Sequence, residues 1–186
     1  MDFQGFPKMA RFSRETIITE KIDGTNGQIL ITPDLQFFVG SRTRWITPAS
    51  DNHGFARWAY EHKDELIEGL GEGRHYGEWW GSGIQRGYGL TNGEKRFSLF
   101  NVSRWKVRWK EGETCPACCR VVPVLWTTPT IDTLVIENVL HALSCYGSIA
   151  SPGFMDPEGI VIFHTAANVG FKKTILHDDI PKSQQK

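Results

Sequence analysis

The sequence predicts an α+β fold in which short strands form antiparallel sheets and two helices pack outside them. Runs of β-branched and aromatic residues recur along the chain, separated by Gly, Pro, Asn or Asp. Only the segments at about 55–68 and 132–145 repeat apolar residues with helical spacing. The 186 residues, 40% of them hydrophobic, suffice for one sizeable core and are few for two. We therefore expect a single domain, 1–186, whose end at 177–186 is a polar tail.

The first two predicted strands flank a turn that carries a lysine. Residues 15–19 and 28–31 are rich in β-branched and apolar side chains, and Asp23-Gly24 is a strong turn signal between them. Lys21 is thus expected at the rim of a hairpin-like turn. An amine attacks only after it loses its proton, so covalent chemistry there needs burial or nearby positive charge. Taken alone, the turn fits a solvated surface hairpin equally well.

A third predicted strand, 36–40, leads into a segment with two arginines. Arg42 and Arg44 are two residues apart, so an extended backbone would turn both to one face. Such a pair suits a phosphate or a carboxylate, because guanidinium groups bind these anions with two hydrogen bonds. Ordinary surface charge on an edge strand explains the pattern equally well.

An aromatic strand follows the first helix. Glu78 is the one acidic residue in the run 74–80, where its carboxylate is suited to accept hydrogen bonds from sugar hydroxyls. The glycines at 81–89 fit plain turns, and the chain lacks the Gly-Lys-Ser/Thr ending of a phosphate-binding P-loop.

The next strand, 96–102, places Phe100 on one face by simple alternation. The segment 104–110 then mixes basic and aromatic residues, a pattern typical of a nucleic-acid contact or of a strand with one solvated face. A buried strand at 119–126 follows a cluster of three cysteines. An acidic turn that contains Glu158 and a closing strand at 169–175 complete the chain.

Composition narrows the class of protein. The 21 basic and 21 acidic residues balance, so any surface for nucleic acid must be local. No apolar run approaches the ~20 residues of a membrane helix, and the N-terminus lacks a signal pattern. We expect a cytoplasmic protein with no membrane contact.

In their order along the chain, these features resemble the covalent nucleotidyltransferase superfamily and, within it, the ATP-dependent RNA ligases. The resemblance covers residues 17–175. It implies two antiparallel β-sheets that form a nucleotide cleft with flanking helices, the nucleotidyltransferase or ATP-grasp-like ligase fold. The features that carry it are Glu20-Lys21-Ile22-Asp23-Gly24-Thr25-Asn26, the arginine pair, Glu78, Phe100, Glu158-Gly159-Ile160-Val161 and the closing lysines.

The resemblance also implies a role for each matched residue. Lys21 would attack the α-phosphate of ATP, expel pyrophosphate and carry AMP as a phosphoramidate. The other matched residues would serve this step: Glu20 at the adenine edge, Asn26 in the nucleotide site, Arg42 at the phosphate or ribose, Glu78 at the ribose hydroxyls, Phe100 stacked on the adenine, Glu158 at a divalent metal ion, and Lys172 at the α-phosphate with help from Lys173. The chain departs from the family at Thr174, where a second lysine is common, and at Asn101, where many relatives have Asp.

The activity so implied is an RNA ligase, a catalytic domain alone, that joins 5′-phosphate and 3′-hydroxyl ends through lysyl-AMP in RNA repair. The expected cofactors are ATP and Mg²⁺ or Mn²⁺, since hard cations prefer carboxylate oxygen. The expected partners are nucleic-acid ends, RNA by preference, and an accessory nucleic-acid-binding protein, with the chain a monomer or a weak dimer. The alternatives are a DNA nick ligase of the same superfamily and a non-catalytic nucleotide- or RNA-binding module.

Overall fold

Two β-sheets form the framework of the computed structural model, which describes residues 2–105 and 115–180. One sheet has six strands in the order β4-β3-β2-β5-β6-β7, and the other has four in the order β10-β9-β1-β8. In chain order the strands are β1 (Thr16–Lys21), β2 (Thr25–Ile31), β3 (Phe37–Gly40), β4 (Trp45–Ile46), β5 (Gly73–Gly81), β6 (Lys95–Leu99), β7 (Cys119–Val121), β8 (Val124–Thr128), β9 (Gly159–His164) and β10 (Val169–Thr174).

The predicted α+β class with two sheets is confirmed. The strand pairings in the described part of the chain are antiparallel apart from β6 with β7, which run parallel with Phe97 opposite Cys119. The helices are α1 (Phe55–Glu61), α2 (Lys63–Leu70) and α3 (Thr133–Tyr146). No helix among the described residues is long and apolar enough to cross a membrane.

The turn after Lys21 joins the two sheets instead of closing a hairpin. β1 pairs with β8 and β9, whereas β2 pairs with β3 and β5. The turn signal at Asp23-Gly24 was therefore right, but the hairpin interpretation was wrong, because a local turn signal does not specify the pairing partner. The crossing places Lys21 at the base of the space between the sheets.

The predicted helix at 55–68 is present as two helices. His62 departs from helical geometry, with φ −104° and ψ 18°, and its ring nitrogen lies 2.9 Å from the carbonyl oxygen of Trp58. Phe55, Leu66 and Leu70 are fully buried against the six-stranded sheet. Burial of each such side chain contributes about 1.5–3 kcal/mol to stability.

α3 covers the four-stranded sheet, as the apolar spacing predicted. Asp132 accepts hydrogen bonds from the amides of Leu134 (2.9 Å) and Val135 (3.2 Å), which caps the first turn. Ile136 and Leu143 pack in one cluster with Ile18, Ile160 and Ile162 of the sheet.

Two predicted strands have different limits. The strand expected at 119–126 is divided at Val122-Pro123 into β7 and β8, which belong to different sheets, so the chain changes sheet there. The strand expected at 96–102 ends at Leu99, and residues 102–105 are helical because the Asn101 side chain accepts from the amide of Arg104 at 3.0 Å. Most of the basic and aromatic segment 104–110, namely 106–110, lies outside the described residues.

Candidate active site

The two sheets enclose a cavity of about 770 Å³. Its walls include Lys21 and Val161 from the four-stranded sheet and Glu78, Tyr76 and Arg74 from the six-stranded sheet. A second, apolar groove of about 480 Å³ lies between β8 and α3, and its lining contains no acid, lysine, histidine or cysteine. The acids and the lysine among these lining residues therefore belong to the first cavity.

Lys21, which lines this cavity, forms an ion pair with Glu158. The antiparallel register pairs Lys21 with Gly159, which brings the preceding Glu158 beside the amine. Lys21 Nζ contacts Glu158 Oε2, and the two side chains are 22% and 2% exposed. The pair thus joins a solvent-accessible amine to a carboxylate that is almost entirely withdrawn from water.

Glu78 projects from β5 toward the turn that follows Lys21. Its carboxylate accepts from the amide of Gly24 at 3.1 Å and from the side-chain amide of Asn26 at 2.9 Å. Burial raises the pKa of Glu78 to about 7, while the positive charge of Lys21 and the hydrogen bond from Gly24 act against the rise. Asn26 therefore orients Glu78 in this structure.

Gly24 approaches β5 so closely that only glycine fits. A Cβ at this position would collide with the carbonyl oxygen of Trp79 and would lie 2.8 Å from Cβ of Trp80. The missing side chain is what allows the Gly24 amide to reach Glu78.

Tyr88 is an organising residue that the sequence interpretation missed. It is fully buried, and its hydroxyl accepts from the amides of Asp23 (3.1 Å) and Glu158 (3.3 Å) and donates to the carbonyl of Lys21 (3.3 Å). Burial raises the pKa of this phenol well above its usual value, so it remains a donor. The sequence feature that could have indicated this residue is a single large aromatic side chain between two glycines, in a loop whose glycines fit plain turns.

Arg86, in the same glycine-rich loop, ties two acidic turns together. Its guanidinium lies 3.3 Å from Oδ2 of Asp23 and 2.7 Å from Oδ1 of Asp156. The loop at 81–89 therefore holds the segment after Lys21 against the segment before Glu158.

The Glu20 carboxylate lies on the face of β1 opposite to that of the Lys21 amine. Ser148 donates its hydroxyl to Oε1, and the amides of Ile149 and Ala150 each donate to Oε2 at 2.9 Å. Glu20 is 1% exposed. We expected Glu20 at an adenine edge; its carboxylate binds the loop after α3, while the residue itself is among those that line the cavity.

Phe100 stands at the rim of the cavity, directly after β6. Its ring is 41% exposed, and its amide donates to the carbonyl of Tyr76 at 2.9 Å. An exposed ring held in place through its backbone offers a flat face for stacking.

The arginine pair does not share one face of an extended strand. Residues 42–44 form a bend between β3 and β4, and Arg44 donates to the hydroxyl of Ser50 at 2.9 Å. Arg42 is exposed and is not among the described residues that line the cavity. The expectation of a common face failed because the segment turns where we assumed it was extended.

The two lysines of β10 point to opposite faces. Lys172 is opposite Val161, which lines the cavity, and is exposed. Lys173 faces α3, where its ammonium lies 3.2 Å from Glu137 and 3.6 Å from Asp178, and the hydrogen bond to Glu137 raises its pKa. The help expected from Lys173 at the α-phosphate is therefore not supported. Thr174 shares a cross-strand row with Lys21 through Gly159.

The donors in the cavity suit a hard divalent cation that also binds phosphate. Among the described residues no group of three or more His, Cys, Asp or Glu side chains could hold a metal ion by itself. Mg²⁺ characteristically uses one or two carboxylates and completes its shell with water and substrate phosphates. Glu158, a carboxylate in contact with the cavity-lining Lys21, fits that mode of binding.

Known proteins resemble this chain in sequence family and in fold. The family model for RNA ligase matches residues 14–176, and no curated protein matches. The chain is similar to a Naegleria gruberi RNA ligase mutant with ATP and Mn, with a TM-score of 0.64 and 19% identity over 86% of this chain and 48% of that one. The same ligase with PPi gives 0.63 at 20% identity over 87% and 50%. This chain thus spans about half the length of these structures.

Proposed function

Since the chain belongs to the RNA ligase family, we propose that it is an ATP-dependent RNA ligase that joins 5′-phosphate and 3′-hydroxyl ends through lysyl-AMP. The observation that carries the proposal is the contact between Lys21, which lines the cavity, and Glu158. A carboxylate within hydrogen-bond reach orients the amine and can accept the proton that the amine must lose before it attacks.

In the proposed reaction Lys21 supplies the bond to phosphorus. Lys21 Nζ passes a proton to the Glu158 carboxylate and attacks the α-phosphorus of ATP, so that an N–P bond forms while the P–O bond to pyrophosphate breaks, and the second proton of the attacking nitrogen passes to solvent. The 5′-phosphate of the RNA then attacks the same phosphorus and releases the lysine. Finally the 3′-hydroxyl attacks the activated 5′-phosphate, and AMP leaves.

The other residues bind and orient the nucleotide in this proposal. Ionised Glu78 accepts from the ribose hydroxyls, Phe100 stacks on the adenine, and Lys172 and Arg42 neutralise phosphate charge. Asn26 acts by holding Glu78 in place. A Mg²⁺ or Mn²⁺ ion bound by Glu158 would stabilise the charge that develops on the α-phosphate.

The proposal extends to the domain organisation, the location and the partners of the protein. We assign residues 1–186 to one adenylation domain whose end, 177–186, is a polar tail, of which 181–186 lie outside the described residues. We propose that the protein works in the cytoplasm, as a monomer or weak dimer, with a second nucleic-acid-binding protein as an accessory partner and RNA repair as its process.

The first test is the intact mass of the purified protein after incubation with ATP and Mg²⁺. The wild type should gain the mass of one AMP and release pyrophosphate, whereas Lys21→Ala should gain nothing. Asn138→Ala, in the apolar groove away from the cavity, is the matched control and should react as the wild type does. If the wild type neither gains AMP nor arrives already adenylylated, the non-catalytic binding module replaces the ligase. Nicked DNA sealed faster than RNA would favour the DNA nick ligase.

A further inference from the structure

The six-stranded sheet exposes aromatic rings and a guanidinium beside the cavity. Phe38, Trp45 and Tyr76 are 38%, 49% and 53% exposed, and Arg74 is exposed as well. We call these four residues the β-sheet patch. Large rings left in water on one face of a sheet mark a site of interaction more often than isolated exposed residues do.

The β-sheet patch continues the wall of the cavity outward. Glu78, Tyr76 and Arg74 alternate along β5, so their side chains share one face of the sheet. Tyr76 and Arg74 line the cavity together with Glu78. An RNA strand that left the cavity along this face of β5 would therefore pass over Tyr76 and Arg74.

The strand register sets the width of the β-sheet patch. Tyr76 is opposite Gln28, Gln28 is opposite Gly40, and Gly40 is opposite Trp45. Three inter-strand spacings of about 4.8 Å separate the first residue from the last, or roughly 14 Å. A single strand of nucleic acid can lay several bases across a surface of this width.

Contacts within the β-sheet patch hold its members in place. The guanidinium of Arg74 lies 5.3 Å from the centre of the Trp45 ring and donates to the side-chain carbonyl of Gln28. The Phe38 and Trp45 rings are 5.7 Å apart. Arg42, in the turn between β3 and β4, adds a second positive charge at this edge of the sheet.

We propose that the β-sheet patch binds a single-stranded segment of RNA next to the end that reacts in the cavity. This inference rests on the proposed ligase function and adds to it the path of the substrate strand. Ring faces stack on bases with little regard to sequence, and the guanidinium groups pair with the phosphates between them. The continuity of the β-sheet patch with the cavity favours the substrate strand over a protein partner, since protein interfaces are also rich in aromatic residues and arginine.

The test separates RNA binding from AMP transfer. Trp45→Ala and the double variant Phe38→Ala/Trp45→Ala change rings that do not line the cavity. Both should gain AMP from ATP as the wild type does. In fluorescence anisotropy with a labelled, 5′-phosphorylated single-stranded RNA, we expect at least a tenfold loss of affinity for the double variant, because stacking on each ring contributes substantially to binding. A fully paired RNA duplex should bind the wild type more weakly.

Trp126→Ala is the matched control, since Trp126 is 55% exposed but lies on β8 of the other sheet. It should bind the single strand as the wild type does, and Trp45→Phe should recover most of the lost affinity. Equal RNA affinity of Trp45→Ala and Trp126→Ala would overturn the inference, as would a wild type that gains AMP but binds no single-stranded RNA. Absence of AMP uptake in the wild type would overturn the proposed function instead.

Discussion

At the scale of single residues, Glu78 links the protonation of the site to the stability of the protein. The carboxylate is buried, and its pKa in the folded chain is about 7, against an ordinary value of 4.5. Between about pH 4.5 and pH 7 the Glu78 carboxyl is protonated in the folded protein but ionised in the unfolded chain. This contribution to stability is complete below about pH 4.5 and is lost as the pH rises through about 7.

We therefore expect the free energy of unfolding of the wild type to fall by about 3 kcal/mol from Glu78 alone between pH 4.5 and 7.5, since one pKa unit corresponds to about 1.4 kcal/mol. Urea unfolding of Glu78→Gln should show a shallower dependence on pH, because a glutamine carries no titrating proton. Glu72→Gln, which changes an exposed acid just before β5, is the matched control. The same slope in Glu78→Gln and the wild type would contradict the prediction.

The adjacent residues Glu20 and Lys21 have different side-chain surroundings. Successive side chains of a strand point to opposite faces. The Lys21 amine enters the cavity, while the Glu20 carboxylate receives three hydrogen bonds from Ser148, Ile149 and Ala150. The two residues are adjacent in the sequence motif, but their side chains lie on opposite faces of the strand.

At the scale of elements, β10 offers a matched comparison on one strand. Lys172 is on the cavity face, and Lys173 is held by Glu137 on the face of α3. Lys172→Ala should slow AMP uptake by about a hundredfold or more, because removing a group that stabilises the negative charge developing on the phosphate lowers the rate by about that factor. Lys173→Ala should leave the rate within about twofold and cost less than about 1 kcal/mol of stability, as exposed ion pairs do.

Rates of AMP uptake from intact mass, together with urea unfolding, measure both variants. A rate loss as large in Lys173→Ala as in Lys172→Ala would show that both lysines reach the phosphate. If Lys172→Ala lost stability but kept the wild-type rate of AMP uptake, the proposed role of Lys172 at the α-phosphate would be wrong.

The elements themselves were largely predictable, because the patterns that specify them are local. Alternation and turn residues indicated β1, β2, β9 and β10, and the apolar spacing indicated α3. The pairing of strands is non-local, so the turn after Lys21 was taken for a hairpin although it joins two sheets. For the same reason the sequence did not show that Lys172 and Lys173 have different surroundings, and Lys173 was expected to help Lys172 at the α-phosphate. Tyr88 belongs to no periodic pattern and was missed.

At the scale of the whole molecule, the proposed nucleotide site uses both sheets. Lys21 and Glu158 belong to the four-stranded sheet, and Glu78 and Phe100 to the six-stranded sheet and its edge. A ligand that touches both sheets only in the folded protein stabilises that fold by mass action.

We expect ATP with Mg²⁺, at about a hundred times its dissociation constant, to raise the unfolding temperature of Lys21→Ala by about 5–10 °C, since about 2.7 kcal/mol of linkage acts on a chain of this size. This variant excludes the covalent step. Phe100→Ala in the same background should show a smaller rise. An equal rise with inorganic tripolyphosphate would show that the base contributes nothing, contrary to the stacking assigned to Phe100. Differential scanning fluorimetry measures all of these.

The single hydroxyl of Tyr88 has a mechanical consequence for the molecule. It holds the carbonyl of Lys21 and the amides of Asp23 and Glu158 at one point. The spacing between the backbone segments that carry Lys21 and Glu158 is therefore set by the side chain of Tyr88, which belongs to neither segment, as well as by the ion pair itself.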